Sequence, residues 1–244
     1  GGLGPSYLLT GLVETSQSPQ DRHLRIALYD LSKGQQMLEI ALPFREGDGR
    51  HVAHGASDQI YRALTGTLGS FNTRLAYVLA EGRGPEARYK LIVSDSDGED
   101  ARVVASSIEP ILSPSWSPDG HRMAYVSFED GSSAIFVQDL ATGSRRRLAA
   151  FPGINGAPAW SPDGTEIAMA LSKEGSPDIY IMDVASGVLH RVTRDEALDT
   201  EPSWSPDGKS LLFTSDRGGS PQIYRVDAQG GDAERMTFDG AYNA

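Results

Sequence analysis

The chain has 244 residues, 39% of them hydrophobic and 23% charged, the balance of a folded globular protein with one large domain or two small ones. Its 22 basic and 33 acidic residues leave a net charge of −11, which argues against a nucleic-acid partner. The absence of cysteine excludes disulfides and thiolate zinc sites and leaves the compartment open, and no apolar run approaches the roughly 18 residues a membrane-crossing helix needs.

The chain opens at Gly1 and not at Met, so a targeting segment is expected to have been removed or not included. In residues 1–70, the stretches Tyr7 to Glu14, His23 to Leu31 and Met37 to Phe44 alternate apolar and polar residues, which predicts three strands. Polar loops such as Ser32-Lys33-Gly34 join them. From Arg50 to Leu64, Val52, Ala56, Ile60 and Leu64 recur at every fourth position, which predicts a helix. Three strands and one helix bury little surface, so this α+β region is expected to be the C-terminal part of a larger domain. His51 and His54 have the i,i+3 spacing to share a metal on that helix, but with no third ligand in view the spacing favours a solvated face.

From residue 71 the pattern changes to a repeat. The pentapeptide WSPDG occurs at Trp116 to Gly120, Trp160 to Gly164 and Trp204 to Gly208, at an interval of 44 residues, the period of stacked supersecondary units. Each copy alternates three loop signals with four short runs rich in Val, Ile, Tyr and Phe, which predicts a four-stranded antiparallel meander. Pro presets φ near −65°, Asp bonds its own backbone and Gly accepts the positive φ that closes the turn, so the first strand reverses there. Further loops at Gly131, Gly175 and Gly219 and at Asp139, Asp183 and Asp227 keep the same interval. The three tryptophans sit just before the first turn of their units, where an indole is expected to pack between stacked sheets. A degenerate copy precedes these units, with Arg74 to Val78 parallel to Arg122 to Val126 and Asp95 in register with Asp139. The expected blades are therefore 71–113, 114–157, 158–201 and 202–244, and the last copy stops where a further blade would begin. No Gly-x-Ser-x-Gly elbow, Walker loop, His-Glu-x-x-His or Gly-x-Gly-x-x-Gly occurs, and His23, His121 and His190 are scattered at strand edges, so no catalytic group is expected.

The strings YLLTGLVE, SDQIYRALTG, FNTRLAYV, NGAPAWSPDG and DTEPSWSPDG, in this order, resemble the TolB family of periplasmic propeller proteins over essentially the whole chain. The resemblance implies a mainly β fold, a partial four-repeat β-propeller of TolB/PD40-like blades preceded by a small α+β domain, with six blades in the full protein. It implies a non-enzymatic periplasmic scaffold of the Tol–Pal system that supports envelope integrity and cell division and is exploited by some colicins. The partners implied are the lipoprotein Pal at the propeller mouth and TolA through an N-terminal segment. The protein would touch the membrane only through partners and be a monomer when complete.

Carried over position by position, the resemblance places Pal contacts in loops leading into the innermost strands: Glu109, Pro110, Leu112 and Ser113; Ile154, Asn155, Gly156 and Ala157; and Asp199, Thr200 and Glu201. Ala157 and Glu201 stand 44 residues apart, in one ring, and Ile154 replaces the histidine common in the family. No cofactor is required, although aspartates near the blade turns could line a channel that holds calcium, as the resemblance implies for some members. A different reading of the same repeats is the propeller that gates a prolyl-oligopeptidase-like serine peptidase.

Overall fold

The computed structural model describes residues 6–15, 22–45 and 47–244; the chain's opening residues, on which the expectation about targeting rests, lie outside them. The chain divides into two compact units, Gly1–Leu75 with Ser94–Ala101, and Ala76–Val93 with Arg102–Ala244. No helix among the described residues is long and apolar enough to cross a membrane.

In the first unit β1 (Tyr7–Thr15), β2 (Arg22–Asp30) and β3 (Gln35–Phe44) form an antiparallel meander with β2 central. The turn after β2 is fixed by Asp30, whose Oδ1 accepts from the backbone N–H groups of Ser32 (2.9 Å) and Lys33 (3.1 Å) and from the Ser32 hydroxyl (2.6 Å). Helix α1 (Gly49–Thr65) packs against β2 and β3, with Ile26, Leu28 and Ala56 buried. It ends at Gly66, whose φ of 84° lets its N–H return to the Arg62 carbonyl at 2.8 Å. The predicted apolar stripe holds at Val52, Ala56 and Ile60 but not at Leu64, which is 43% exposed. Steps of four residues overshoot a 3.6-residue turn by about 40° each, so by Leu64 the row has rotated off the buried face.

The residues that complete this unit are not all at the N-terminus. Ser94–Ala101, within the repeat region, belongs to it, so a boundary drawn at residue 70 misses this segment. There Arg50 of α1 meets Asp97 at 2.5 Å and Asp95 at 3.6 Å, and His54 Nε2 lies 3.1 Å from Asp97. His54 is therefore within hydrogen-bond reach of Asp97, beside the Arg50 ion pair, and not a freely solvated group.

The second unit is a partial β-propeller. Its first sheet has three strands, β4 (Arg74–Glu81), β5 (Arg88–Asp95) and β6 (Arg102–Ser107). Three four-stranded antiparallel meanders follow: β7 (Ile111–Trp116), β8 (Arg122–Ser127), β9 (Ala134–Asp139) and β10 (Arg145–Ala149); β11 (Asn155–Trp160), β12 (Glu166–Leu171), β13 (Asp178–Asp183) and β14 (Leu189–Arg191); β15 (Asp199–Trp204), β16 (Ser210–Ser215), β17 (Gln222–Asp227) and β18 (Glu234–Arg235). The sheets begin at Ile111, Asn155 and Asp199, three residues ahead of the boundaries drawn at the prolines, because the first strand runs through the proline. Strands β4 and β5 are each two residues longer than β8 and β9, which turns the 44-residue offset at Asp95 into 48 at Arg74.

Three apolar cores lie between successive sheets, not within them. The first joins Leu91 and Val93 to Ile111, Met123, Tyr125, Ala134 and Phe136. The second joins Ala124, Val126, Ile135 and Val137 to Trp160, Ile167, Met169 and Tyr180, and the third joins Ala168, Ile179, Ile181 and Val192 to Leu211, Phe213 and Tyr224. Each tryptophan packs in the core ahead of its own sheet, as an inter-blade role requires. The Trp204 indole N–H also donates to the Ala159 carbonyl of the preceding sheet at 3.0 Å, whereas among the described residues the Trp160 N–H has no acceptor. The Arg122 guanidinium lies 4.5 Å over the Trp160 ring and donates to the Gly164 carbonyl at 3.1 Å.

The SPDG turns carry more than a chain reversal. In each, the serine hydroxyl donates to the aspartate, at 2.5 Å for Ser117–Asp119 and 2.6 Å for Ser161–Asp163 and Ser205–Asp207. The same hydroxyl accepts the backbone N–H five residues on, from Arg122, Glu166 or Ser210. Successive turns also touch. A Cβ on Gly164, where φ is 72°, would lie 3.3 Å from Pro118 Cγ, and one on Gly208 would lie 3.8 Å from Pro162 Cδ. Glycine is needed at position 164 both for the handedness of its turn and for the approach of the preceding repeat.

Candidate binding rim at the first strands

Opposite the SPDG turns, the blades end in the starts of β7, β11 and β15 and in the loops that follow β8, β12 and β16. All the sequence-derived contact residues fall at this end, but they lie largely in strands and not in loops. Leu112 and Ser113 are in β7, Asn155, Gly156 and Ala157 in β11, and Asp199, Thr200 and Glu201 in β15; Glu109, Pro110 and Ile154 come just before.

Each of these strands is bulged at the same place. The pairing passes from Leu112↔Val126 to Ser115↔Ala124, from Gly156↔Ala170 to Ala159↔Ala168, and from Thr200↔Thr214 to Ser203↔Leu212, so two residues on one strand oppose one on the other. The extra pair is Ser113-Pro114, Ala157-Pro158 or Glu201-Pro202. A bulge tolerates proline in a sheet because the missing N–H leaves no ladder bond unmade. Proline also disfavours the right-handed helical conformation for the residue before it. That residue takes a left-handed conformation in all three repeats: φ is 49° at Ser113, 47° at Ala157 and 54° at Glu201. For a residue with a side chain this conformation costs on the order of 1–2 kcal/mol.

The structure separates the predicted residues into those that reach the surface and those that hold it. Ile154 and Leu112 are 52% and 48% exposed, and Glu109, Ser113 and Glu201 are exposed. Asn155 and Asp199 are fully buried, at 0% each, so their side chains are withdrawn from direct contact with any partner. The Asn155 amide accepts from the Phe151 N–H at 2.8 Å and donates to the Phe151 carbonyl at 2.7 Å. Asp199 takes two bonds from Arg217, at 3.0 and 2.9 Å, and Arg217 is itself laid over the rings of Phe213 and Tyr224. A second buried carboxylate, Asp178, meets Arg191 at 2.6 Å; burial pushes it above the usual carboxylate range, and the nearby Asp199 charge pushes the same way.

The repeat aspartates at the other end behave differently. The Ser117, Ser161 and Ser205 hydroxyls, with a backbone N–H bond to each carboxylate, hold Asp119, Asp163 and Asp207 below the usual carboxylate range. Asp139 and Asp183 are lowered by the backbone and hydroxyl groups of Thr142 and Ser186. Among the described residues no three His, Asp or Glu side chains converge to hold a metal ion.

Sequence reasoning missed Leu198 and Tyr242. They stand 44 and 88 residues after Ile154 and are 52% and 70% exposed, so the repeat interval, extended from one carried-over position, would have found both.

Comparison with known proteins agrees with this geometry. Residues 61–244 match the family model described as the TolB beta propeller domain. A curated relative, the Tol-Pal system protein TolB of Xanthomonas oryzae pv. oryzae (strain MAFF 311018), is 50% identical over 155 residues, which is 64% of this chain and 35% of the relative. The crystal structure of TolB from Acinetobacter baumannii covers 98% of this chain at 45% identity and a TM-score of 0.91, while this chain covers 59% of it. A Mycobacterium tuberculosis puromycin-hydrolysing peptidase covers 95% of the chain at 17% identity and a TM-score of 0.53, a likeness of fold alone. The chain thus spans about a third of the curated relative and somewhat over half of the solved one. Three bulged first strands in one register, inter-sheet cores and a family match over three quarters of the sequence lead to one assignment: the chain belongs to the TolB β-propeller family.

Proposed function

We propose that this chain is part of a non-enzymatic periplasmic scaffold of the Tol–Pal system, which binds the lipoprotein Pal at the rim formed by the starts of β7, β11 and β15. The Tol-Pal naming of the 50% identical relative supports the system, and the three left-handed bulge residues carry the site. Strain at one register of three repeats is a cost that turn formation does not require, and such strain collects where a binding surface needs it. A bulge turns its residue away from the regular pleat, and here it presents Ser113, Ala157 and Glu201 at one rim. Glu109, Leu112, Ile154 and Glu201 are then contact residues, and Asn155 and Asp199 brace them from below. Through Pal, and through TolA at an N-terminal segment, the full protein would link the two membranes of the envelope and support constriction at division.

Titration calorimetry of the full-length protein against the soluble Pal domain tests this. Wild type is expected to bind, Glu201→Ala to weaken the complex about tenfold, and Ala157→Tyr to abolish it, with thermal melts little changed. Binding that survives Ala157→Tyr would place the partner elsewhere.

A further inference from the structure

The rim carries an apolar side chain at one fixed place per repeat. Ile154, Leu198 and Tyr242 share a register at the 44-residue interval and are 52%, 52% and 70% exposed. Pro110 holds the corresponding place one repeat earlier, between Ile108 and Leu112, which are 65% and 48% exposed.

These side chains stand out because the backbone around them is gripped. The Ile154 N–H donates to Ser172 Oγ at 2.7 Å and its carbonyl accepts from the Ser172 N–H at 3.1 Å, while the Leu198 N–H donates to Asp216 Oδ1 at 2.8 Å. The next residue is fixed as well. The Asn155 N–H donates to Ser133 Oγ at 2.9 Å, and those of Asp199 and Asn243 donate to the carbonyls of Pro177 and Pro221, both at 2.9 Å. With the backbone held at Ile154 and Leu198 themselves and at the residue after each of the three places, and with that following Asn or Asp turned inward, the side chain before it projects into solvent. A single exposed apolar residue needs no explanation, but the same exposure rebuilt with different residues at one register does.

We infer that these apolar side chains, with Glu201, form a recognition edge for a protein segment that offers apolar residues at blade spacing and a Lys or Arg to Glu201. This rests on the rim reading above and names the partner's chemistry. Charge complementarity selects the occupant. Glu109, Asp195, Glu196 and Glu201 are exposed at this end with Arg194 beside them, while Arg191 and Arg217 are engaged by buried Asp178 and Asp199. An acidic rim studded with aliphatic groups disfavours an anionic membrane surface and favours a basic, apolar polypeptide.

The test uses the full-length protein and the soluble Pal domain at low and high salt. Ile154→Ser and Leu198→Ser are compared with Val188→Ser, a 67% exposed apolar residue at the opposite end of the blades. Each rim change is expected to weaken binding about tenfold at both salts, Val188→Ser to leave it unchanged, and Glu201→Gln to weaken it mainly at low salt. If both rim serines bind like wild type while Ala157→Tyr does not, the apolar edge is wrong and the rim reading stands. If wild type shows no binding, the rim reading fails and this inference falls with it. Sedimentation of each variant alone closes the remaining route: self-association lost in Leu198→Ser, with Pal binding intact, would assign the edge to a second copy of the chain.

Discussion

The two ends of each blade solve opposite problems with the same residue type. At the turn end, aspartates stay exposed and are satisfied within five residues, by a serine hydroxyl and backbone N–H groups of their own hairpin. At the rim end, Asp178 and Asp199 are buried and answered by arginines 13 and 18 residues away. A requirement met locally can be written the same way in every repeat, and WSPDG is. A requirement met by a distant partner varies with that partner, and the register holding Ile111, Asn155 and Asp199 has three different residues for one structural place.

The largest test of this contrast is Asp199→Ala. It leaves the Arg217 guanidinium partly buried without its carboxylate, and chemical denaturation is expected to show a loss of about 3–5 kcal/mol. The turn-end counterpart, Asp207→Ala, removes bonds from an exposed group and is expected to cost about 1 kcal/mol or less. Equal losses at the two ends would remove the distinction.

A smaller effect separates handedness from contact at the turns. Gly164→Ala meets both a φ of 72° and Pro118, whereas Gly143→Ala meets only a φ of 73°, with nothing within 4 Å of its Cβ. Both should lose about 1 kcal/mol for the left-handed conformation, and Gly164→Ala about a further 1 kcal/mol for the displaced neighbour. The difference in denaturation midpoint measures what one repeat contributes to the next.

The smallest effect is a difference in pH response. Asp119, Asp163 and Asp207 have folded values below their unfolded ones, so their contribution is present above the ordinary aspartate value of about 3.9 and is lost as pH falls through the lower folded values. Asp178 is raised, so its contribution has the opposite sign: present below the ordinary value and lost as pH rises through the raised one. In acid melts, Ser161→Ala should move part of the loss to higher pH, and Asp178→Asn should remove the opposing slope. An acid limb unchanged in both would show that these shifts do not reach stability.

Legibility in the sequence follows the same division. Strand alternation, the helix at Arg50 to Leu64 and the SPDG turns are local and were all readable. The four-residue stripe misled at Leu64 because a helical row drifts, and Ser94–Ala101 joined the first unit through ion pairs with α1 that no periodicity announces. At the rim the family likeness placed the contact residues in loops, whereas the bulge lets the strands continue through the prolines at 114, 158 and 202. Burial of Asn155 and Asp199 depends on partners in other strands or loops, so a position taken from family likeness could not tell bracing residues from contacting ones.

The contact of Pro118 with Gly164, and of Pro162 with Gly208, also bears on how such a chain can lengthen or shorten. Because each of the three WSPDG copies brings both a proline that can reach forward and a glycine that can receive it, loss or duplication of a whole 44-residue segment among them restores the joint at the seam. A one-residue insertion inside a turn damages the joints on both sides of it. A gene built this way can change its number of units more easily than it can change the length of any one of them.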